Sequence, residues 1–220
     1  MSESAVLFLD ANTLASPVTR TLVIAGARAD GMRVVGSSHV EVEADRHTRG
    51  AASRISTVRA DILAMELSPS VASTEGLVTV SIEDRRVMAD ALRAGARYLI
   101  TTDVDDFAFE DLIDNEMSAV NPDYFMALRY TEYAYREGVG LLASVAKNPP
   151  RTESEVHRML GRRHPHLTSR FVDAYESAPV PADQDQPGVL FRGVVCVSCD
   201  SHLDDEEGHR LGLCARHREH

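Results

Sequence analysis

Ala5-Val-Leu-Phe-Leu-Asp10 is a run of five apolar residues that ends at a carboxylate. A short continuous run of this kind is typical of a strand that is buried on both faces of a parallel sheet. Asp10 then lies at the carboxyl end of the strand, and open parallel sheets bind their ligands outside those ends. The run therefore predicts a type of sheet and, at Asp10, the position of a functional site.

Three more apolar runs, at residues 34–36, 77–80 and 98–101, predict three more strands of the same kind. The segments between the runs have the periodicity of amphipathic helices. This alternation indicates an α/β fold with a parallel sheet flanked by helices. The predicted helices cover residues 17–29, 38–49, 52–65, 84–96 and 123–135.

The carboxyl-terminal part of the chain divides into smaller units. Thr152 and Glu155 form a capping-box pattern after two prolines, and the apolar residues that follow predict a small helical extension up to residue 177. Residues 178–188 are rich in Pro, Asp and Gln and lack periodicity, so we expect a linker there. The predicted units are residues 1–130, the helical extension 131–177, the linker 178–188 and a separate Cys/His-rich tail 189–220.

The charge balance argues against one class of function, a protein that coats nucleic acid. The chain has 34 acidic and 23 basic residues and a formal net charge of -11. This disfavours a protein that coats nucleic acid, because such binding rests on neutralising phosphates with Lys and Arg. An enzyme that cuts nucleic acid is still compatible with the charge.

Three features of the sequence predict the cellular compartment of the protein. No apolar stretch approaches the roughly 20 residues that a membrane-spanning helix needs, and the amino terminus lacks the positive charge of a secretory signal. All three cysteines lie after residue 195, which fits a reducing compartment. We expect a cytoplasmic protein with no membrane partner.

The informative acids follow the predicted strands. They are Asp10 after the first, Asp84 after the third, Asp103 and Asp106 after the fourth, and Glu41 and Glu43 on the helix after the second. Two carboxylates about 4 Å apart repel by roughly 4 kcal/mol at an effective dielectric of 20, so such a cluster calls for divalent cations. Oxygen ligands suit Mg²⁺ or Mn²⁺, and two such ions can activate a water and stabilise the leaving oxygen in phosphodiester hydrolysis.

Four motifs around these acids resemble the PIN-domain family, specifically the VapC-type toxin ribonucleases. The motifs are Phe8-Leu-Asp-Ala-Asn-Thr-Leu14, Ser37-Ser-His-Val-Glu-Val-Glu43, Asp84-Arg-Arg-Val-Met-Ala-Asp-Ala91 and Tyr98-Leu-Ile-Thr-Thr-Asp-Val-Asp-Asp-Phe107. Four motifs in order are far more specific than any one of them. The resemblance extends into the helical extension, which looks like the carboxyl-terminal domain of one subgroup of these toxins, and the tail lies outside it.

The resemblance implies a role for each acid. Asp10, Asp84, Asp103 and Asp106 would be metal ligands, and Asp10, Glu43, Asp84 and Asp103 would carry catalysis. Glu43 is preferred to Glu41 because it lies six positions after Ser37, as the family's helical acid does. Close family members often have Asn at the position of Asp103, so Asp103 and Asp106 could divide the metal-binding role differently here. Asn12, Ser37 and Thr101 match polar positions that line such sites and would contact substrate.

The resemblance also implies an activity and partners. The family's reaction is endonucleolytic cleavage of RNA that depends on Mg²⁺ or Mn²⁺, with Asp103 or Asp84 orienting the attacking water. A toxin of this type would have a cognate antitoxin protein, and the family favours a homodimer.

Each acid also has an alternative explanation. Asp10 could be a helix cap, and Asp84 could belong to a capping box with Ser81. Residues 103–106 could form a solvated acidic turn, and Glu41 and Glu43 could be exposed helix charges. Two alternatives therefore stay open for the whole protein: a non-catalytic PIN-like scaffold that binds RNA or a protein through its tail, and an RNA-processing nuclease without a toxin role.

The tail contains a second candidate site. Cys196, Cys199, Cys214 and His217 have the spacing C-x2-C-x14-C-x2-H. Two pairs of such ligands at this separation predict a tetrahedral Zn²⁺ site, which would supply much of the folding free energy of so short a segment. The alternative is a disordered tail with incidental cysteines.

Two groups of arginines could hold RNA phosphates beside the acids. Solvated helix faces are the alternative for each of them. The groups are Arg46, Arg49, Arg54 and Arg59 after the acidic helix, and Arg158, Arg162, Arg163 and Arg170 in the helical extension.

Overall fold

The computed structural model describes residues 4–48, 52–59, 63–71, 73–176, 178–181 and 188–218. These residues contain a six-stranded sheet with the strand order β3-β2-β1-β4-β5-β6. The first five strands are parallel to their neighbours, and β6 is antiparallel to β5. The strands are β1 (Val6–Leu9), β2 (Arg33–Ser37), β3 (Glu66–Ser68), β4 (Tyr98–Ile100), β5 (Ser118–Val120) and β6 (Phe191–Gly193).

The predicted α/β class, with a mostly parallel sheet flanked by helices, is confirmed. Strand β1 lies at the centre of the sheet, where Leu7, Phe8 and Leu9 are inaccessible to solvent. Its two neighbours are β2 and β4, which are predicted strands as well. A strand that is buried on both faces needs a continuous apolar run, which is why residues 5–9 show no alternation.

The helices pack on both the sheet and one another. Among the described residues, no helix combines the length and the apolar character that crossing a membrane requires. The helices are α1 (Ala11–Ala15), α2 (Pro17–Ala29), α3 (Ser38–His47), α4 (Ile55–Val58), α5 (Ile82–Arg93), α6 (Phe109–Asp114), α7 (Pro122–Arg129), α8 (Glu132–Val145), α9 (Glu153–Leu160), α10 (Pro165–Arg170), α11 (Glu206–Leu211) and α12 (Ala215–Arg218).

The helix predictions succeed where the start and stop signals are local. Helix α2 has the predicted bounds, α3 ends two residues before Arg49, which lies outside the described residues, and α5 covers most of 84–96. The single helix predicted at 123–135 is two helices, α7 and α8, because the backbone of Tyr130 is extended between them. Thr131 caps the start of α8, and its hydroxyl also donates to the carboxylate of Asp30. Of the helix predicted at 52–65, the structure shows α4 at Ile55–Val58, residues 60–62 lie outside the described residues, and β3 starts at Glu66.

The strand predicted at residues 77–80 is wrong. Val78 is 60% exposed and Val80 is 91% exposed, and the segment pairs with no strand among the described residues. The backbone N–H groups of Val78 and Thr79 donate instead to the carboxylate of Asp111, over 2.9 and 2.8 Å. A β-branched composition favours a strand only if a neighbouring edge is available, and here a side chain takes the place of that edge.

The helical extension is part of the same hydrophobic core as the sheet. Helix α8 packs on α2, where Gly138 lets the backbone of Leu22 approach closely. Val139, Leu160 and Phe171 are buried in that core. The capping box of Thr152 and Glu155 is confirmed at the start of α9.

The carboxyl-terminal segment is not a separate tail. Strand β6 pairs with β5, with Val120 opposite Phe191, and the residues that follow it are buried. The prediction of a separate unit is wrong because the segment supplies the last strand of the sheet. Of the predicted linker, residues 178–181 and 188 are described and contain neither helix nor strand, and residues 182–187 lie outside the described residues.

Candidate functional site

Asp10 lies where β1 and β4 end side by side. Its backbone N–H donates to the carbonyl of Ile100 over 3.1 Å, which extends the pairing of the two strands by one bond. Its carboxylate is almost inaccessible and accepts two hydrogen bonds, from the N–H of Ala11 (2.6 Å) and from the hydroxyl of Thr101 (2.8 Å). Asp10 therefore does cap α1, and the same carboxylate faces the other acids.

Burial raises the pKa of Asp10 from 3.8 to about 7. The hydrogen bonds from Thr101 and Ala11 oppose this rise, and the negative charges of Glu43 and Asp84 add to it. A carboxyl with this pKa is only partly ionised at neutral pH. A divalent cation nearby would favour the charged form of Asp10.

Asn12 joins the loops that follow β1 and β4. Its amide nitrogen donates to the carboxylate of Asp103 (2.9 Å) and to the hydroxyl of Thr101 (3.0 Å), and its carbonyl oxygen accepts from the N–H of Thr102 (3.2 Å). Thr101 is fully buried and also accepts from the N–H of Asp103 over 3.1 Å. The predicted polar residues Asn12 and Thr101 therefore position the acids, and Thr101 offers no surface to a substrate.

Asp84 and Asp106 approach the same region from other elements. Asp84 is in the first turn of α5, where the hydroxyl of Ser81 accepts from its N–H over 3.3 Å, and Asp106 ends a 3-10 turn at Val104–Asp106. Burial raises the pKa of Asp84, and the charges of Glu43 and Asp103 contribute to the rise. Asp84 thus reaches the other acids from a capped helix rather than from the end of a strand.

The pKa of Asp106 is also raised, first by burial and then by the charges of Asp84, Asp103 and Asp105. The positive charge of Arg192 opposes this rise. Each of the aspartates with a raised pKa therefore senses at least one other acid of the group. We call the group of Asp10, Glu43, Asp84, Asp103 and Asp106 the acidic cluster.

Glu43 and Glu41 have different surroundings, although both are on α3. Glu41 forms an ion pair with Arg59, at 2.5 Å from its Nε. Glu43 lies 3.9 Å from the imidazole of His39, and its charge contributes to the raised pKa of both Asp10 and Asp84. The structure therefore brings Glu43, and not Glu41, to the acidic cluster.

Ser37 has a local role at the start of α3. Its hydroxyl accepts from the N–H of Val40 over 3.2 Å, and the residue is fully buried. It fixes the direction of the helix that carries Glu43. The structure gives it no accessible surface for the substrate contact that the resemblance implies.

The acidic cluster is open. Asp103 and Asp106 are exposed, Asp84 and Glu43 are partly buried, and Asp10 is buried, so the cluster has a closed floor and an exposed rim. Oxygen-rich sites for Mg²⁺ or Mn²⁺ keep positions free for water and for substrate phosphate. Asp10 lies at the bottom of this group, and Asp103 and Asp106 lie at its exposed rim.

The second group consists of Cys196, Cys199, Cys214 and His217, and we call it the Cys3His cluster. Among the described residues, this is the one group of three or more His, Cys, Asp or Glu side chains close enough to hold a metal ion together; its ligand atoms all lie within 4.8 Å of one another. The sulfurs of Cys199 and Cys214 are 3.7 Å apart, and the sulfur of Cys214 is 3.2 Å from Nδ1 of His217. Two sulfurs on a tetrahedral zinc ion with Zn–S bonds of about 2.3 Å would be separated by about 3.8 Å.

The thiols of the Cys3His cluster differ in acidity. Burial raises the pKa of Cys196 to about 11. Burial acts in the same direction on Cys214, but hydrogen bonds with His217 and Ser201 outweigh it and lower the pKa of Cys214 to about 6. Because a metal binds thiolates, binding at this cluster would release protons.

Residues that sequence reasoning missed anchor the Cys3His cluster in the sheet. The hydroxyl of Tyr98 on β4 donates to the carbonyl of Cys196 (2.7 Å) and to the carboxylate of Asp200 (2.6 Å). Arg129 forms an ion pair with Asp200 at 2.8 Å and donates to the carbonyl of Val197 over 3.0 Å. The only local signal was Asp200 directly after the first cysteine pair, and its partners are about seventy and a hundred residues away along the chain.

The predicted RNA-binding arginines have mixed surroundings. Arg59 is committed to Glu41. Arg46 and Arg54 are exposed, as is the group in the helical extension, and Arg49 lies outside the described residues. The exposed members of the extension are Arg158, Arg162, Arg163 and Arg170.

A cavity of about 660 Å³ lies between α2, α8 and α9. Its walls are mostly apolar, with Val18, Leu142 and Met159 among them, and arginines also line it. Among the described residues, neither the acidic cluster nor any other acid lines this cavity. Its size therefore says nothing about the acidic cluster, whose chemistry is that of an exposed surface.

No protein-family model matches this chain, and no curated protein or solved structure matches it either. The residues of the two clusters and the motifs in the sequence are therefore the basis for a function.

Proposed function

We propose that the protein is a metal-dependent endoribonuclease with a PIN-like active site. The observation that carries this proposal is a hydrogen-bonded network at the carboxyl ends of β1 and β4, in which Thr101 and Asn12 join Asp10 to Asp103. Glu43 and Asp84 bring further negative charge to Asp10 from α3 and α5. So many carboxylates in one region repel one another, and folding tolerates them only if protons or cations offset the charge. The order of the motifs along the chain, which resembles that of VapC-type toxins, supports the same conclusion.

The acids would divide the work as follows. Asp10, Asp84, Asp103 and Asp106 would hold Mg²⁺ or Mn²⁺, which when bound supplies charge to stabilise the leaving oxygen and acidifies water. Asp103, held by Asn12, or Asp84 would orient the attacking water. Glu43 would complete the cluster from α3, opposite the loop that carries Asp103.

We also propose that the metal of the Cys3His cluster is Zn²⁺. Three thiols and an imidazole are soft or borderline ligands, and they suit zinc better than they suit Mg²⁺ or Mn²⁺. All four ligand positions are protein side chains, which is typical of a structural site rather than a catalytic one. The two clusters would then take different metals in one chain.

The biological role that we propose is that of a toxin in a toxin-antitoxin pair. Such a protein would act in the cytoplasm as a homodimer, and a cognate antitoxin protein would restrain it. Expression of the wild-type chain alone is expected to arrest growth, and expression of Asp10→Asn is not. Cleavage in vitro without growth arrest would instead favour the RNA-processing role.

The proposal is tested by incubating purified protein with a structured RNA and a DNA of the same sequence. The reaction is run with Mg²⁺, with Mn²⁺, and with a chelator in buffer that retains zinc. We expect cleavage of the RNA alone, only with Mg²⁺ or Mn²⁺. Asp10→Asn should reduce the rate roughly a thousandfold, or about 4 kcal/mol, because it removes a negative metal ligand.

Glu43→Gln and Glu41→Gln form the matched pair for this experiment. The two residues are two positions apart on α3, and only Glu43 contributes to the charge around Asp10. We expect Glu43→Gln to slow cleavage strongly and Glu41→Gln to leave it near the wild-type rate. A folded protein that binds RNA but cleaves it under no condition, with RNA binding unaffected by Asp10→Asn, would favour the non-catalytic scaffold.

A further inference from the structure

The loop between β4 and α6 carries two acids of the acidic cluster, and the buried side chains of Val104 and Phe107 hold it to the core. Asp103, Asp105 and Asp106 are all exposed within four positions, so their charges repel one another along the loop. The N–H of Asp106 donates to the carbonyl of Asp103 over 3.1 Å. The loop ends where the N–H of Ala108 donates to the hydroxyl of Thr79, also over 3.1 Å.

Arg192 of β6 holds this loop from the other side. Its Nη1 atom donates to the carbonyl oxygen of Asp105 (3.1 Å) and to that of Phe107 (2.8 Å). These two carbonyls are on either side of Asp106. The guanidinium group therefore fixes the backbone that presents Asp106 and brings one positive charge to a loop with three negative ones.

Strand β6 is short and needs support on both of its edges. On one edge it pairs with β5, where Arg192 is opposite Ala119 and where a Cβ at Gly193 would clash with Ser118. On the other edge lies the segment 196–217. Its His209 imidazole is 3.1 Å from the carbonyl of Gly193, and its Gly212 packs on the ring of Phe191.

The Cys3His cluster closes that supporting segment. Cys196 and Cys199 come directly after β6, and Cys214 and His217 come from the end of the segment, so one ion would join its two ends. The N–H of Val197 donates to the carbonyl of Gly212, and that of Leu203 donates to the carbonyl of Val194, each over 2.8 Å. One ion there would add a link between the two ends of a segment that also contacts β6 directly.

We propose that Arg192 is a positioning residue for the acidic cluster and that a metal ion in the Cys3His cluster keeps it in position. Loss of that ion would release the outer edge of β6, withdraw Arg192 from the 103–107 loop and weaken cation binding by Asp103 and Asp106. The thiolate-bound ion thus sets the cation affinity of the acidic cluster. The inference rests on the cation site of the proposed function, and only the cleavage readout below rests on the ribonuclease activity as well.

The test compares the Mn²⁺ affinity of four full-length proteins, all purified in the presence of zinc. They are the wild type, Arg192→Ala, Cys199→Ser and the variant that carries both changes. Mn²⁺ binding is measured from the electron paramagnetic resonance signal of the free ion, and zinc content is measured on the same samples. Arg210→Ala, an exposed arginine on α11, is the matched control and should behave as wild type. Amide hydrogen exchange at Asp106 and Ala108 reports on the loop directly.

We expect Arg192→Ala to keep one zinc ion per chain and to bind Mn²⁺ about tenfold more weakly, as is usual when a residue behind a metal ligand is removed. Cys199→Ser should lose zinc and show the same weakening. The double variant should be no weaker than either single variant, because both changes act through one contact. Amide hydrogen exchange at Asp106 and Ala108 should be faster in all three variants than in the wild type. Saturating Mn²⁺ should restore the cleavage rate of Arg192→Ala.

Several results would overturn the proposal. Wild-type Mn²⁺ affinity in Arg192→Ala, or no Mn²⁺ binding by the wild type, would remove the positioning role. Additive effects in the double variant, or global unfolding on loss of zinc, would show that the zinc does not act through Arg192. A wild-type protein that binds Mn²⁺ with the expected pattern but cleaves no RNA would refute the ribonuclease and leave the inference about Arg192 intact.

Discussion

The acidic cluster and the Cys3His cluster are built in opposite ways. The ligand atoms of the Cys3His cluster already lie within 4.8 Å of one another, and all come from one stretch near the carboxyl terminus. The acids come from the end of β1, from α3, from α5 and from the loop after β4, and they range from buried Asp10 to exposed Asp106. One cluster is compact and local along the chain, and the other is open and assembled by the whole sheet.

This difference indicates different tasks. A site whose four positions are all protein ligands has none left for substrate, so its metal contributes to folding. An open site of carboxylates is destabilised by repulsion but leaves room for water and a phosphate. We therefore expect changes in the Cys3His cluster to act first on stability and on the acidic cluster only through Arg192, and changes in the acidic cluster to act mainly on activity.

The largest expected effect that would sharpen this contrast is on stability. Cys196→Ser removes a buried side chain of the Cys3His cluster and should lower the free energy of unfolding by roughly 5 kcal/mol, with a fall in Tm of about 10–15 °C, while the protein stays folded at 25 °C. Asp10→Asn should leave the Tm unchanged or raise it, because it removes a buried charge. Thermal unfolding of the two variants in zinc-containing buffer measures both effects. Equal losses of stability in the two variants would contradict the proposed difference between the two clusters.

The next effect concerns the pH dependence of stability without Mg²⁺ or Mn²⁺. Because burial raises the pKa of Asp10 to about 7, the folded protein keeps a proton that the unfolded chain releases near pH 4. The resulting stabilisation is complete below about pH 4 and is lost as the pH rises to about 7, and it amounts to at most about 4 kcal/mol.

The measurement is the difference in unfolding free energy between wild type and Asp10→Asn from pH 4 to pH 8. Burial lowers the pKa of His164 to about 4, so His164 has the opposite pH dependence, but it is common to both proteins and cancels. The wild type should lose stability relative to Asp10→Asn as the pH rises, and saturating Mn²⁺ should reverse the trend at pH 8. A difference independent of pH would contradict the buried, raised pKa of Asp10.

The smallest effect tests how Asp84 is held. Ser81→Ala removes the hydroxyl that accepts from the N–H groups of Glu83 and Asp84, and it should destabilise the protein by about 1 kcal/mol. Ser169→Ala, at an exposed position of α10, is the control and should change stability by less. Urea unfolding measures both. If the cap matters for the cluster, Ser81→Ala should also require more Mn²⁺ for half-maximal cleavage, and Ser169→Ala should not.

The sequence predicted well the features that depend on neighbouring residues. The apolar run before Asp10 specified β1, the proline and the apolar periodicity specified α2, and Thr152 with Glu155 specified the start of α9. The spacing of the cysteines and His217 predicted a cluster that the structure confirms as compact. In each of these cases the physical cause lies within one element or one short loop, so the chain displays it directly.

Features that depend on distant partners could be known only from the tertiary structure. Residues 77–80 have the composition of a strand but bond Asp111, while the polar segment Glu66–Ser68 is a strand because the edge of β2 is available. Likewise, the ion pair of Glu41 with Arg59 separates it from Glu43, and Arg192 reaches the acidic loop across more than eighty residues of chain. A hydrogen-bonding group must find some partner when it is buried, but which partner it finds is decided by the packing of the whole fold.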